Sequence, residues 1–348
     1  MDATIATPPP SAPTPPMLSV RGLHTRFYKN DAVIHAVNGM SLDLWPGEVL
    51  GLVGESGCGK SVTALSILRL IPRAAGRVVD GEIRFEGRDL LALTPRELES
   101  VRGRDISMIF QEPMTSLNPV LRIGDQVAET LQLHKGMGRR AALARAIELL
   151  DLVRIADPAR QAREYPHRLS GGMRQRVMIA MALACEPRLM IADEPTTALD
   201  VTVQAQILEL MADLNRQTGA AIMLITHDLG VVAEMANRVI VMYAGNAVEE
   251  ATVEDLFANP LHPYTRGLMA AIPRRGAWRD AAGPQSLQEI PGMVPSLRAP
   301  IVGCAFAPRC AYATTRCREQ APARQLRPNG HAVACWEADR MQQLGKPV

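Results

Sequence analysis

The chain has 348 residues, 47% of them hydrophobic but only 4% aromatic, and a net charge of +2. That length suits one large domain with a smaller appendage, and the core must rest on Leu, Val, Ile, Ala and Met rather than on rings. The near-balanced charge argues against a nucleic-acid partner held by a large basic field. Residues 1–16, MDATIATPPPSAPTPP, lack the basic and apolar segments of a secretory signal. Their prolines predict a disordered tail. The longest clearly apolar run, residues 177–185, falls short of the roughly 18 residues a membrane span needs. The chain is therefore expected to be soluble and to reach a membrane only by docking on another protein.

Residues 18–45 alternate as strands do, most clearly over 33–37, and Trp45-Pro46-Gly47 reads as a turn. A short buried strand over 48–53, a glycine-rich loop and a helix over 60–70 follow. Strands are expected at 82–86 and 105–110, and a helical pattern runs over 122–153. Alternation then resumes: helix 172–184, strand 189–192, helix 201–214, strand 221–226, strand 238–243. This order predicts an α/β core on a largely parallel sheet, with a helical insert at about 112–172. Near residue 275 the composition shifts to Pro, Arg and Cys. The boundaries drawn from this are a tail over 1–16, a main domain over 17–275 and a C-terminal unit over 276–348.

The loop Gly54-Glu55-Ser56-Gly57-Cys58-Gly59-Lys60-Ser61 matches G-x-x-x-x-G-K-[ST] between a strand and a helix. Glycines let successive N–H groups turn inward as an anion nest, and the helix start adds its positive dipole end. Lys60 is then able to reach the β- and γ-phosphates of ATP, and Ser61 to take a place on Mg²⁺. Cys58 sits at a variable position and carries no expected chemistry. A second signal is Asp193-Glu194 at the end of the apolar strand 189–192, where ligands gather in parallel sheets. Asp193 is expected to hold Mg²⁺ and Glu194 to act as general base toward the attacking water.

Between these motifs stands Leu169-Ser170-Gly171-Gly172-Met173-Arg174-Gln175. Here the chain resembles the ATP-binding-cassette (ABC) family, whose signature is LSGG followed by a glutamine. Ser170, Gly171 and Gly172 form a second anion site at a helix start. The resemblance implies that this site binds the γ-phosphate of ATP held by an opposite subunit, hence a dimer. It also implies that Gln111 is the Q-loop glutamine at Mg²⁺, that Ala198-Leu199-Asp200 is the D-loop crossing the dimer interface, and that His227 is the switch histidine at the γ-phosphate. An aromatic stacked on adenine is expected before residue 36; Phe27 and Tyr28 both qualify, with Phe27 preferred. The resemblance covers about residues 17–275, and the implied fold is an ABC-type P-loop nucleotide-binding domain with a helical subdomain.

Residues 111–119, QEPMTSLNP, and 262–268, HPYTRGL, look like the branch that imports oligopeptides, dipeptides or nickel. So does the tail IPGMVPSL at 290–297, followed by Cys304, Cys310, Cys317 and Cys335. That C-x5-C-x6-C-x17-C spacing is not a common zinc ribbon. Four thiolates in an irregular loop suit a [4Fe–4S] cluster or Zn²⁺, and the resemblance favours iron–sulfur. It further implies a second ATPase chain forming a heterodimer, two transmembrane permease subunits and an extracytoplasmic solute-binding protein. The expected location is peripheral, on the cytoplasmic face of the inner membrane. ABC proteins of DNA repair or translation typically carry two cassettes or a long coiled-coil insert, and neither is found here. An exporter is compatible with the core but not with the tail.

Overall fold

The computed structural model describes residues 15–29, 32–112, 116–197, 199–272 and 289–345. The expected disordered tail lies outside the described residues apart from Pro15 and Pro16. So do Pro113, Met114, Thr115, Ala198 and the boundary drawn near residue 275.

Two sheets organise the chain. The first is antiparallel, in the order β2 (Ala32–Leu44), β1 (Leu18–Lys29), β4 (Gly76–Phe85), β5 (Arg88–Asp89). The second has eight described strands in the order β11 (Gln325–Leu326), β12 (Ala332–Val333), β10 (Asn246–Thr252), β9 (Arg238–Tyr243), β3 (Val49–Val53), β8 (Ala221–Thr226), β7 (Leu189–Asp193), β6 (Ile106–Ile109). The run from β9 to β6 is parallel throughout. Its strands are continuous apolar runs because both faces are covered. Met190 and Ala192 of β7 enter one core, under the helices α3 (Ile123–Lys135), α4 (Arg139–Leu152), α6 (Gly171–Leu183) and α7 (Val201–Thr218). Leu189 and Ile191 enter the other, between this sheet, α1 (Lys60–Ile67) and the antiparallel sheet.

The helix expected over 60–70 stops at Ile67; Leu68 caps it and Arg69 turns to φ 51°. The single helical pattern expected over 122–153 is two helices, α3 and α4, separated at Gly136. The strand expected at 82–86 starts earlier, at Gly76, because it pairs along β1. Helix α2 (Pro95–Val101) was not foreseen, although Thr94-Pro95-Arg96-Glu97 is a capping box with Pro at the first helical position. The short α5 (Pro158–Gln161), α8 (Leu229–Met235), α9 (Val253–Ala258) and α10 (Pro263–Ala270), with the antiparallel strand β10, complete the main body.

Residues 289–345 fold back onto that body rather than standing apart from it. Strand β12 pairs with β10 and so extends the main sheet. His35 N–H of β2 donates to Leu297 O at 2.8 Å. The joint is deeply buried at Glu249 on β10, which is 0% exposed. Its carboxylate accepts from Leu261 N–H at 2.5 Å, from His262 N–H at 3.0 Å, and pairs with His331 Nε2 at 2.7 Å. Removing one member of such a pair strands the other in a medium that solvates it poorly. His331→Ala should cost about 3 kcal/mol of unfolding free energy, read from the denaturant midpoint, and His331→Gln, which keeps an N–H donor, should recover part of it. Equal losses in the two variants would disprove that account. Beyond α11 (Thr315–Glu319), the chain ends in α12 (Ala338–Leu344).

Candidate active site

Strands β3, β8, β7 and β6 are parallel neighbours, so their carboxyl ends lie along one edge of the sheet. That edge carries the loop 54–61 after β3, Asp193-Glu194 at the end of β7, His227 after β8 and Gln111 after β6. Ligands of open α/β sheets bind there. The loop is tightly held. Gly59 sits at φ 104°, and a Cβ there would lie 2.5 Å from Ala36 O, so only glycine fits. Lys60, 4% exposed, donates to Gly54 O at 2.8 Å and Glu55 O at 3.2 Å. Cys58 is buried, which pushes its thiol up.

Ser61 Oγ donates to Asp193 Oδ1 at 3.0 Å, joining the loop to the acidic pair. Burial pushes the Asp193 carboxyl up, opposed by the Ser61 hydroxyl. The folded state therefore holds that proton more tightly than the unfolded chain does. Above the ordinary carboxyl range, ionised Asp193 costs stability; the cost fades as pH falls through the raised value. In protein free of nucleotide and metal, Asp193→Asn should raise the melting temperature at neutral pH by a few degrees, with the gain shrinking on acidification. A gain independent of pH, or a loss at neutral pH, would refute it.

Glu194 is the most constrained side chain of the edge. Its backbone sits at φ 46°, in the left-handed region that non-glycine residues avoid, with its N–H bound to Ile225 O at 2.9 Å. Oε2 accepts from Gln111 Nε2 at 3.0 Å and from Thr197 Oγ1 at 2.9 Å, while Oε1 lies 3.2 Å from His227 Nδ1. The expected Gln111, Glu194 and His227 thus meet at one carboxylate. Thr197, which completes the set, escaped the sequence reading. Its position three residues after Glu194 was the available signal.

The second expected anion site is a separate structure. Ser170 caps α6, its Oγ accepting from Met173 N–H at 3.3 Å. A Cβ on Gly172 would lie 2.6 Å from Val203 Cγ1, so glycine is what lets α6 start against α7. Asp200 caps α7 through Val203 N–H at 3.0 Å. Residues 170–172 and Asp200 therefore stand together at paired helix starts. Among the described residues, no hydrogen bond joins residues 170–172 to the loop 54–61.

The two aromatic candidates differ in placement. The Phe27 ring packs on Gly76 of β4, whereas Tyr28 is 43% exposed with the Arg77 guanidinium 5.3 Å above its ring. His262-Pro263-Tyr264 has a clear local meaning. Burial pushes His262 down to about 4, leaving a neutral ring whose Nδ1 accepts from Tyr264 N–H at 3.0 Å and caps α10. Tyr264 then presents its hydroxyl to Glu55 N–H at 2.8 Å.

Cys304, Cys310, Cys317 and Cys335 line one pocket together with Phe306, Tyr312 and Trp336. Burial pushes the thiols of Cys304 and Cys310 up, and that of Cys335 to about 12. Thr314 Oγ1 lies 3.3 Å from Cys317 Sγ, and Tyr312 N–H donates to Cys310 Sγ at 3.4 Å. The donor count expected of a cluster is present in one place. Among the described residues, however, no three His, Cys, Asp or Glu side chains are arranged to grip a metal ion. No helix among them is long and apolar enough to cross a membrane.

Comparison with known proteins agrees with this geometry. Residues 37–197 match the ABC transporter family, and residues 248–317 match the oligopeptide/dipeptide transporter C-terminal region. Similar proteins include the probable peptide ABC transporter ATP-binding protein y4tR of Sinorhizobium fredii, 57% identical over 94% of this chain and 97% of its own. The dipeptide transport ATP-binding protein DppD of Bacillus subtilis is 50% identical over 93% of this chain and 95% of its own. Among solved structures, the ATP-binding cassette MJ0796, a dimer in a post-hydrolysis state bound to ADP and Pi, is 29% identical with TM-score 0.62, over 68% of this chain and 99% of that one. With the phosphate loop, the acidic pair, the signature helix and the C-terminal region all present in one chain, this protein belongs to the ABC transporter family, as an ATPase of the oligopeptide/dipeptide branch.

Proposed function

We propose that the chain energises uptake of di- or oligopeptides across the cytoplasmic membrane, working from its cytoplasmic face. The observation that carries this reading is 50–57% identity, over nearly the whole length, to proteins named for peptide transport. As an ABC transporter ATPase it pairs with a second ATPase and with membrane permease subunits. In this reading the second ATPase is a different chain, and an extracytoplasmic solute-binding protein delivers the cargo.

The residues divide the work as follows. The loop 54–61 wraps the phosphates of ATP, Lys60 neutralises their charge, and Phe27 offers a platform for adenine. Residues 170–172 of one subunit close over the γ-phosphate held by its partner, with Asp200 at the seam. Glu194 takes the proton of the attacking water, and His227 and Gln111 steer that carboxylate and the γ-phosphate. Ser61, Asp193 and Gln111 would hold Mg²⁺, which supplies charge neutralisation on the phosphates. One carboxylate and a hydroxyl 3.0 Å apart suit an ion that usually completes its shell with water and phosphate oxygens. The main domain spans residues 17–275, with the helical insert at 112–172 and the extension over 276–348.

The four cysteines of the extension are the proposed ligands of a [4Fe–4S] cluster, with Zn²⁺ the alternative. Support comes from four thiols on one pocket, and either cofactor would bind them as thiolates. A brown protein with iron and sulfide in equal amounts is the expected result. A colourless protein with one zinc per chain would overturn the assignment to iron.

Cargo is tested in the assembled transporter. Peptide-loaded binding protein should stimulate ATP hydrolysis severalfold in membranes containing both permeases and both ATPases. Stimulation by nickel and not by any peptide would sink the peptide assignment while leaving the ATPase intact.

A further inference from the structure

The extension reaches into the phosphate loop. Arg309, between Cys304 and Cys310, has a side chain only 4% exposed and meets Glu55 in a bidentate pair, Nη1 to Oε2 at 2.7 Å and Nη2 to Oε1 at 3.0 Å. Its remaining donors are also spoken for. Nε donates to Pro291 O at 2.9 Å, Nη2 to Ile290 O at 3.0 Å and Nη1 to Tyr243 Oη at 3.4 Å. The Glu55 carboxylate leads among the causes that raise the Arg309 pKa, so the cation is permanent. On the other side of Glu55, its backbone N–H is held by Tyr264 Oη at 2.8 Å. Tyr243, Tyr264 and Phe306 pack ring on ring beneath this contact, with centroids 4.6–5.4 Å apart. Glu55 is thus fixed at both backbone and side chain by groups outside the loop. Its carbonyl is one of the two that orient Lys60.

We infer that Arg309 is a positioning residue for ATP binding: through Glu55 it holds the phosphate loop in its anion-accepting shape, so the extension sets nucleotide affinity. This rests on the reading of residues 54–61 as the ATP phosphate site. A bidentate pair whose guanidinium is enclosed on all its donors loses more than an ordinary surface pair when one partner goes, and a loop no longer held must be ordered by the ligand itself.

The test compares Arg309→Gln, Glu55→Gln and the double variant in the assembled transporter. Each single change should raise KM for ATP on the order of tenfold, and Arg309→Gln, outside the loop, should leave kcat within about twofold of wild type. The double variant should be no worse than either single one. A purely structural role predicts a lower melting temperature with KM unchanged at a permissive temperature, and that result would overturn the inference, as would additive effects. Should Arg309→Gln not fold, the partly exposed Glu55→Gln decides alone: an unchanged KM rejects the inference. Lys60→Ala runs alongside, because wild-type ATP affinity in that variant would mean that the site reading itself had failed.

Discussion

Glu194→Gln should bind MgATP as tightly as the wild type yet hydrolyse it about 10²–10⁴-fold more slowly. The change is nearly isosteric, and the surroundings accommodate it. The amide oxygen of Gln can still accept from Gln111 Nε2 and Thr197 Oγ1, and its NH₂ can face His227 Nδ1, which accepts in one tautomer. The left-handed turn at φ 46° carries a backbone bond to Ile225 O, which the substitution leaves in place. What disappears is the carboxylate assigned to take the proton of the attacking water. The variant should therefore accumulate an ATP-bound dimer in which each signature helix faces the partner's phosphates. Turnover within about twofold of wild type in the assembled complex would mean that another group removes the proton.

The legible parts of this molecule are those where chemistry is local in the chain. A phosphate nest needs consecutive N–H groups, so its glycines, Lys60 and Ser61 fall within eight residues. The signature is a helix start, and Ser170, Gly171 and Gly172 are contiguous for the same reason. The parallel core was readable because strands covered on both faces are unbroken apolar runs. The insert's break at Gly136 and the capping box at Thr94 are equally local, but helical periodicity on both sides masks the first, and the second opens a helix of only seven residues.

The unread parts depend on contacts between distant segments. Arg309 lies 254 residues from Glu55, and nothing in the texture of either segment announces the pair. The change of composition near residue 275 suggested a second, smaller unit, but not that β12 would join the main sheet through β10 or that His331 would be buried against Glu249. Composition reports solvent preference and breaks in regular structure; it carries no information on which sheet edge a later strand will cover. The cysteines show a third case. They line one pocket with His262 and Pro263 of the main body, while the spacing alone left the ligand open.

Lys60→Ala should weaken ATP binding by about 100-fold, the loss of one charged hydrogen bond to phosphate. The ammonium has three donors, and two are already directed at Gly54 O and Glu55 O. Those two bonds hold the side chain across the loop and leave one N–H to point at an anion. The loss is therefore of an oriented charge rather than of general positive potential, and Lys60→Arg should not restore it: a planar guanidinium cannot make the same pair of bonds in so buried a place. Thermal unfolding separates binding from turnover. A ligand at 100 times its Kd stabilises by about 2.7 kcal/mol, and the same concentration at a Kd weakened 100-fold stabilises by only about 0.4 kcal/mol. At one ATP concentration, Glu194→Gln should thus keep the full nucleotide-dependent rise in melting temperature while losing hydrolysis, and Lys60→Ala should lose both. If Lys60→Ala kept the rise, nucleotide would be binding without the oriented ammonium, and the reading of residues 54–61 as the phosphate site would fail.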